Sequence, residues 1–238
     1  VRVPKDALFA ADRLTNRRLH EVLPDGSWKG RPCVIVGGGP SLRDFDFSLL
    51  RGWRTIGINR AFERFEPTII FSMDTRFLNW LQGGKYDRLP DGRGAYDKFL
   101  RARSYKVWLA TYTLRLPDSF FIVPVLHNYQ HGLRAFGTSL REGIGHGNNS
   151  GYAALNLAVC LGADPIYLLG FDCKHSDGRS HWHSGHPLVQ REQTVKSFVK
   201  YFERAAMLTR HLPNRIVNLG PDSALRCWPK EDWREVLH

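Results

Sequence analysis

A chain of 238 residues that is 42% hydrophobic and 24% charged can bury a substantial core in one domain and is too apolar to be disordered. No run approaches the roughly 18 uninterrupted apolar residues of a membrane-spanning helix, and Cys33, Cys160, Cys173 and Cys227 form no CxxC pattern of a zinc knuckle or disulfide framework. The 34 Lys and Arg against 23 Asp and Glu give a formal net charge of +11, which favours anionic partners such as nucleotides, lipopolysaccharide, nucleic acid or anionic lipid. Together these features fit a reducing cytoplasm, with the chain free or at the inner membrane surface.

The first twenty residues, VRVPKDALFAADRLTNRRLH, alternate charge with apolar side chains and lack a signal-peptide core, so they read as a basic amphipathic helix packed on the body. Beyond them, short apolar runs of strand length recur at 33–36, 55–58, 68–71, 106–109, 120–123, 166–169 and 216–219. Several are too apolar to have a wet face, as expected of central strands covered on both sides. Helical patterns lie between them: 150–161 is rich in Ala and Leu and stops at Gly162, and 188–210 places Val195, Phe198, Val199, Phe202, Ala206 and Thr209 on one face. Alternating strands and helices predict a single α/β domain over 1–238, Rossmann-like and doubly wound around a mainly parallel sheet. Residues 78–103 carry Gly83-Gly84, Asp91-Gly92, many charges and weak periodicity, and are expected to form an inserted, lid-like surface segment.

The first run ends in CVIVGGGPSL. Gly37, Gly38 and Gly39 at the carboxyl end of a strand let a phosphate approach the main chain. The helix-compatible SLRDFDFSLL would offer free N–H groups, with Ser41 as cap and phosphate contact. Pro40 departs from the GxGxxG fingerprint, and a plain tight turn is the competing reading. The second strand ends in Asn59-Arg60, where an amide can read a base or ribose. The third ends in Ser72-Met73-Asp74, whose carboxylate suits Mg²⁺, a ribose hydroxyl or a helix cap equally. His146-Gly147-Asn148-Asn149-Ser150-Gly151 opens a second helix, a further anion-binding N-terminus. The sixth strand delivers Gly170, Phe171 and Asp172, and His175, His181, His183 and His186 follow in a polar, Gly-containing loop. One of these imidazoles suits a general base near neutral pH; His181, His183 and His186 as metal ligands, or as surface anion contacts, are the alternatives.

GGGPSL, INRAF, NNSGYAALNLAVCLGADPIYLLGFD and SHWHSGHP together resemble the bacterial sialyltransferase family that includes the Campylobacter lipooligosaccharide enzymes. The likeness runs from about Arg31 through FVKYFERAAMLTRHLPNRIVNLGPDSALRCWP, whose Pro221-Asp222-Ser223 is similar to the family's P-N-S turn. It implies an inverting transfer of sialic acid from CMP-sialic acid with no metal or other cofactor required. The resemblance places the catalytic histidine at His186, and nucleotide contacts at Gly38, Gly39, Pro40, Ser41, Asn59, Ser150 and Gly151. Where that family's loop has Asn, this chain has Gly38. FEPTIIFSMD and the GxGPSL string are also similar to the 6-hydroxymethylpterin diphosphokinase-like family and its phage-encoded relatives.

The expectation is therefore a glycosyltransferase. A CMP-sugar-like donor would be held by Gly37, Gly38, Gly39, Pro40, Ser41, Asn59, Arg60, Asp74, Asn149, Ser150 and Gly151, with His186, His183 and Asp172 catalytic and no resident metal. The acceptor would be a hydroxyl, on lipopolysaccharide or on modified DNA among anionic candidates. Arg60, Arg179 or another nearby cation would stand in for a metal. The competing readings are a Mg²⁺-dependent diphosphokinase with Asp74 and Asp172 on the metal, and a DNA-modifying transferase or nucleic-acid-binding module.

Overall fold

The structure, a computed structural model, describes residues 16–89, 92–110, 116–183 and 191–238. Seven strands, β1 (Cys33–Val36), β2 (Arg54–Ile58), β3 (Ile69–Ser72), β4 (Tyr105–Ala110), β5 (Phe121–Pro124), β6 (Ile166–Leu169) and β7 (Ile216–Asn218), coincide with the seven apolar runs to within one residue. Their helical partners are α1 (Thr75–Gln82), α2 (Ala95–Arg101), α3 (Tyr129–Gly132), α4 (Ser150–Cys160), α5 (Glu192–Thr209) and α6 (Trp233–Val236). All strand pairings are parallel, in the order β5-β4-β3-β2-β1-β6-β7.

Strands this apolar must be covered on both faces, and they are. Cys33, Ile35, Ile56, Ile69, Phe71 and Leu168 point to a layer that buries nearly all of α4 together with Phe202 and Ala205 of α5. Alternate residues point the other way: Ile70, Trp108 and Ile122 meet α1 and α2, whereas Val34, Val36, Tyr167 and Val217 meet Leu42, Phe47 and Leu237. The architecture is a doubly wound α/β sandwich. Its chain order reverses beside β1, which pairs with β2 on one side and β6 on the other. In such sheets the crevice outside the carboxyl ends of the two strands at the reversal is where ligands bind.

Two expectations change. No α-helix follows the glycine loop; Pro40–Leu42 and Phe47–Leu50 form separate 3₁₀ turns. Asp46 breaks the segment by capping the second turn through Ser48 N–H, and Leu42, Phe45, Phe47 and Leu50 are buried at uneven intervals that no single helical face would satisfy. Residues 78–103 are not a surface excursion: Leu78, Trp80, Leu81, Tyr86, Ala95 and Phe99 are buried, and the segment is the β3–β4 crossover. Its periodicity is interrupted because the segment divides into α1, a 3₁₀ turn (Tyr86–Arg88) and α2, of eight, three and seven residues. The amphipathic helix expected at the N-terminus lies, up to residue 15, outside the described residues; 3₁₀ turn Leu19–Glu21 follows and buries Leu19.

Candidate functional site

At the carboxyl ends of β1, β2, β3 and β6 lies a cavity of about 590 Å³, within the usual range of about 300–1,000 Å³ for small-molecule sites. Five separated stretches of sequence converge on it: the glycine loop, the end of β2, the β3–α1 junction, the start of α4, and the chain from Gly170 to His183. Thr194, Val195, Phe198 and Phe202 of α5 close one side, and Phe77, Trp80 and Tyr86 close another.

The glycine loop is packed against protein. A Cβ on Gly37 would lie 2.6 Å from Gly170 O, and one on Gly39 would lie 2.6 Å from both Gly170 O and the Asp172 carboxylate. One on Gly38 would lie 2.9 Å from the His181 ring. Side chains are excluded there by the β6 end and by His181, so the bareness of this loop has a structural cause before any ligand is considered. Its amides are largely spoken for: Gly37 and Gly39 N–H donate to Leu169 O and Gly170 O at 2.8 and 2.9 Å. Ser41 N–H and Oγ both donate to Asp172, at 2.7 and 2.6 Å. Ser41, expected as a phosphate contact, and Asp172, expected to be catalytic, form a clamp joining the ends of β1 and β6. Gly38 N–H makes no hydrogen bond among the described residues, and Gly38 is half-buried on the cavity wall.

Asn59 and Asp74 line the cavity within a different network. Asn59 adopts φ 50°, a left-handed conformation that asparagine tolerates, and its Oδ1 accepts from Ser72 Oγ at 2.8 Å. Ser72 Oγ in turn accepts from Asp74 N–H at 3.1 Å. Asp74 caps α1 through Arg76 N–H and pairs with the Arg76 guanidinium at 3.2 Å, which is the cap reading of that carboxylate. Arg60, only 3% exposed, forms a two-bond fork with Glu63 at 2.7 Å and lies over the Tyr86 ring. It is thus neutralised where the expectation made it a cation for the leaving group. Arg179 is exposed in the Ser176–Arg179 turn and does not line the cavity.

Helix α4 supplies the donors that the glycine loop lacks. Asn149, extended at its N-cap, accepts from Tyr152 N–H at 2.8 Å. The amides of Ser150 and Gly151 make no hydrogen bond among the described residues, and both residues line the cavity. Unpartnered first-turn amides backed by the helix dipole favour an anion. Gly151 is obligatory for space, since its Cβ would meet Phe171 at 2.9 Å.

The histidines enter from the loop after β6. Trp182 is buried, its ring tilted against Phe47 and under the Arg64 guanidinium, and its main-chain N–H donates to Gly38 O at 3.0 Å. This anchor turns His181 and His183 to the cavity side, where their rings stack at 4.8 Å between centroids. His181 Nδ1 shares a 2.7 Å hydrogen bond with Ser180 Oγ. His186 lies outside the described residues. Among the described residues no three His, Cys, Asp or Glu side chains gather as metal ligands. Two wall groups stay protonated at neutral pH: burial pushes the Tyr86 phenol up, and burial beside the Asp172 carboxylate pushes the Cys173 thiol up to about 12.

The expected Gly37, Gly38, Gly39, Pro40, Asn59, Arg60, Asp74, Asn149, Ser150, Gly151, Asp172 and His183 all line this one cavity; Ser41 lies behind the glycine ridge. Sequence reasoning missed Trp80 and Tyr86, which fell in the supposed surface segment. It also missed Phe198 and Phe202, which fit a core stripe and are lining residues as well. Asn148, at φ 54° before an Asn cap, carried a usable signal as a polar residue in a helix-entry turn. No described helix is long and apolar enough to cross a membrane. Compared with protein-family models, curated proteins and solved structures, the chain matches none.

Proposed function

We propose that this chain is a transferase that holds a nucleotide-activated sugar in the cleft and passes the sugar to an acceptor hydroxyl with inversion. The observation that carries the reading is the pair of amides, Ser150 and Gly151, that make no hydrogen bond among the described residues and line the cleft at the start of α4 where the sheet order reverses. They are suited to a nucleotide phosphate as it leaves, and Gly38 N–H adds a third donor on the facing wall. An imidazole of the histidine loop takes the proton of the acceptor hydroxyl as the new oxygen–carbon bond forms. The bond from the anomeric carbon to the phosphate oxygen breaks, and its electron pair leaves with the nucleotide. The sequence resemblance assigns this base to His186; among the described residues, His181 and His183 are the imidazoles lining the cleft.

The diphosphokinase reading draws less support, because Asp172 is engaged by Ser41 and Asp74 by Arg76. One experiment separates the two. Nucleotide release from a CMP-activated sugar is followed with and without EDTA in the wild type and in His181→Ala, His183→Ala and His186→Ala. The transferase reading expects release that survives EDTA and falls by about 10²–10⁴-fold in the variant lacking the base, with CMP affinity kept. Full turnover in all three variants, or pyrophosphate transfer from ATP that needs Mg²⁺, overturns it.

A further inference from the structure

Most aromatic rings on the wall of the cleft are already engaged by protein. Phe77 stacks on Trp108 at 5.9 Å with 12° between planes, and the Arg60 guanidinium lies over Tyr86 at 4.9 Å. Trp80 has the Arg76 guanidinium and the Lys85 ammonium over its ring, and Trp182 lies under Arg64. Phe171 and Phe202 meet edge to face at 5.7 Å, and His181 and His183 stack on each other. Phe198 differs. It lines the cavity, is half-buried, and makes no contact with another ring or a cation among the described residues.

Its place on the wall follows from the helix period. Thr194, Phe198 and Phe202 are four residues apart in α5, so they stand on one face, each about 6 Å further along the axis. The inner end of this stripe touches the start of α4: a Cβ on Gly151 would lie 3.2 Å from the tip of the Phe202 ring. Phe202 is 2% exposed, Phe198 half-buried and Thr194 exposed, and all three line the cavity. The stripe thus climbs from the first turn of α4 to the mouth, and Phe198 stands about one helical turn along it.

An uncovered phenyl face so close to free anion donors suits a flat aromatic group joined to a phosphate. Such a group gains from covering the apolar face and from offset stacking. Val195 and Phe202, which flank Phe198 on the wall, carry no hydrogen-bonding side-chain group, which disfavours a hydroxyl-rich sugar ring there. We propose that Phe198 is the platform on which the base of the bound nucleotide stacks, so that the base lies along α5 and the sugar is left to the histidine side of the cleft. The assignment rests on reading the start of α4 as the phosphate site.

The test titrates CMP and, separately, inorganic phosphate into the full chain by amide-resolved NMR, in the wild type, Phe198→Leu and Phe198→Tyr. Leucine keeps an apolar side chain and removes the π face; tyrosine keeps the face. A thermal melt checks the fold of both variants. CMP is expected to bind Phe198→Leu about 5- to 150-fold more weakly than the wild type, and Phe198→Tyr within about threefold. Inorganic phosphate should shift Ser150 and Gly151 alike in all three proteins. In the CMP-saturated wild type, where no variant has to fold, nuclear Overhauser effects are expected from cytosine H5 and H6 to the Phe198 ring.

Equal CMP affinity in the wild type and Phe198→Leu, absence of those Overhauser effects, or a wild type that does not bind CMP overturns the proposal. Shifts at Ser150 and Gly151 with CMP affinity untouched by Phe198→Leu refute the platform and leave the phosphate reading standing. CMP in contact with Phe198 while neither CMP nor phosphate moves Ser150 or Gly151 refutes the phosphate reading and leaves the platform in place.

Discussion

Gly39 and Ser41 sit two residues apart and serve one purpose, which is to bring the ends of β1 and β6 together. Gly39 has φ −62°, open to any residue, so its constraint is space alone: the Asp172 carboxylate and Gly170 O occupy the place of a side chain. Gly39→Ala should therefore cost about 1–3 kcal/mol through overpacking, seen as a lower urea midpoint with an unchanged m-value. Ser41→Ala removes one of the two donors to a buried carboxylate and should cost about 1.5–3 kcal/mol in the same assay. Stability unmoved by both would mean that the clamp contributes nothing. A glycine string in sequence cannot say whether the missing side chain makes room for a ligand or for the neighbouring strand. Here it makes room for Gly170, Asp172 and His181, and the residue-level reading had no means to see partners more than 130 positions away.

Among the elements, α4 carries the most. It ends in two bonds, Gly162 N–H to Val159 O at 2.9 Å and Ala163 N–H to Ala158 O at 3.1 Å, with Gly162 at φ 77°, the closure expected of a helix stopped by glycine. That stop was legible because one residue type and one local rule decide it. At the other end, Asn149→Ala should cost about 1 kcal/mol of stability and loosen the first turn on which the proposed phosphate site depends. Mid-helix, fully buried Asn156 accepts from Gly137 and Gly145 N–H at 2.8 Å and donates to Gly137 O at 2.7 Å, tying the 137–145 loop to the core. Asn156→Leu strands both main-chain N–H groups and leaves Gly137 O only the weak Cys160 Sγ donor, and should lower stability by about 3 kcal/mol or more, which a urea titration will register. The strands were equally legible, since a parallel sheet buried on both faces writes an unbroken apolar run. The β1–β2 and β3–β4 crossovers were not: each divides into short separate turns or helices, and their shape is set by packing on the sheet.

For the whole molecule, fold and site follow from one topological event, the reversal of strand order beside β1. Sequence supplied the pieces lying at strand ends; it could not supply the second wall, because Trp80, Tyr86 and Phe198 serve core and cleft together. Burial also sets an alkaline limit. The thiols of Cys33, Cys160, Cys173 and Cys227 are all raised by burial above their ordinary 9.0. A thiol raised in the folded state contributes stability that is whole below the unfolded value and is lost as pH climbs toward the folded one. The urea midpoint should therefore hold to about pH 8 and fall steadily by about pH 10.5, and Cys173→Ala should flatten part of that slope.

The central claim is that the start of α4 at the strand-order reversal receives the phosphate of a nucleotide. An amide-resolved NMR titration with CMP and with UDP tests it most directly. The account predicts saturable shifts at Ser150 and Gly151, joined by Gly38, at a ligand concentration that leaves the amides of β7 unmoved. Saturating nucleotide that shifts none of these three amides would contradict it.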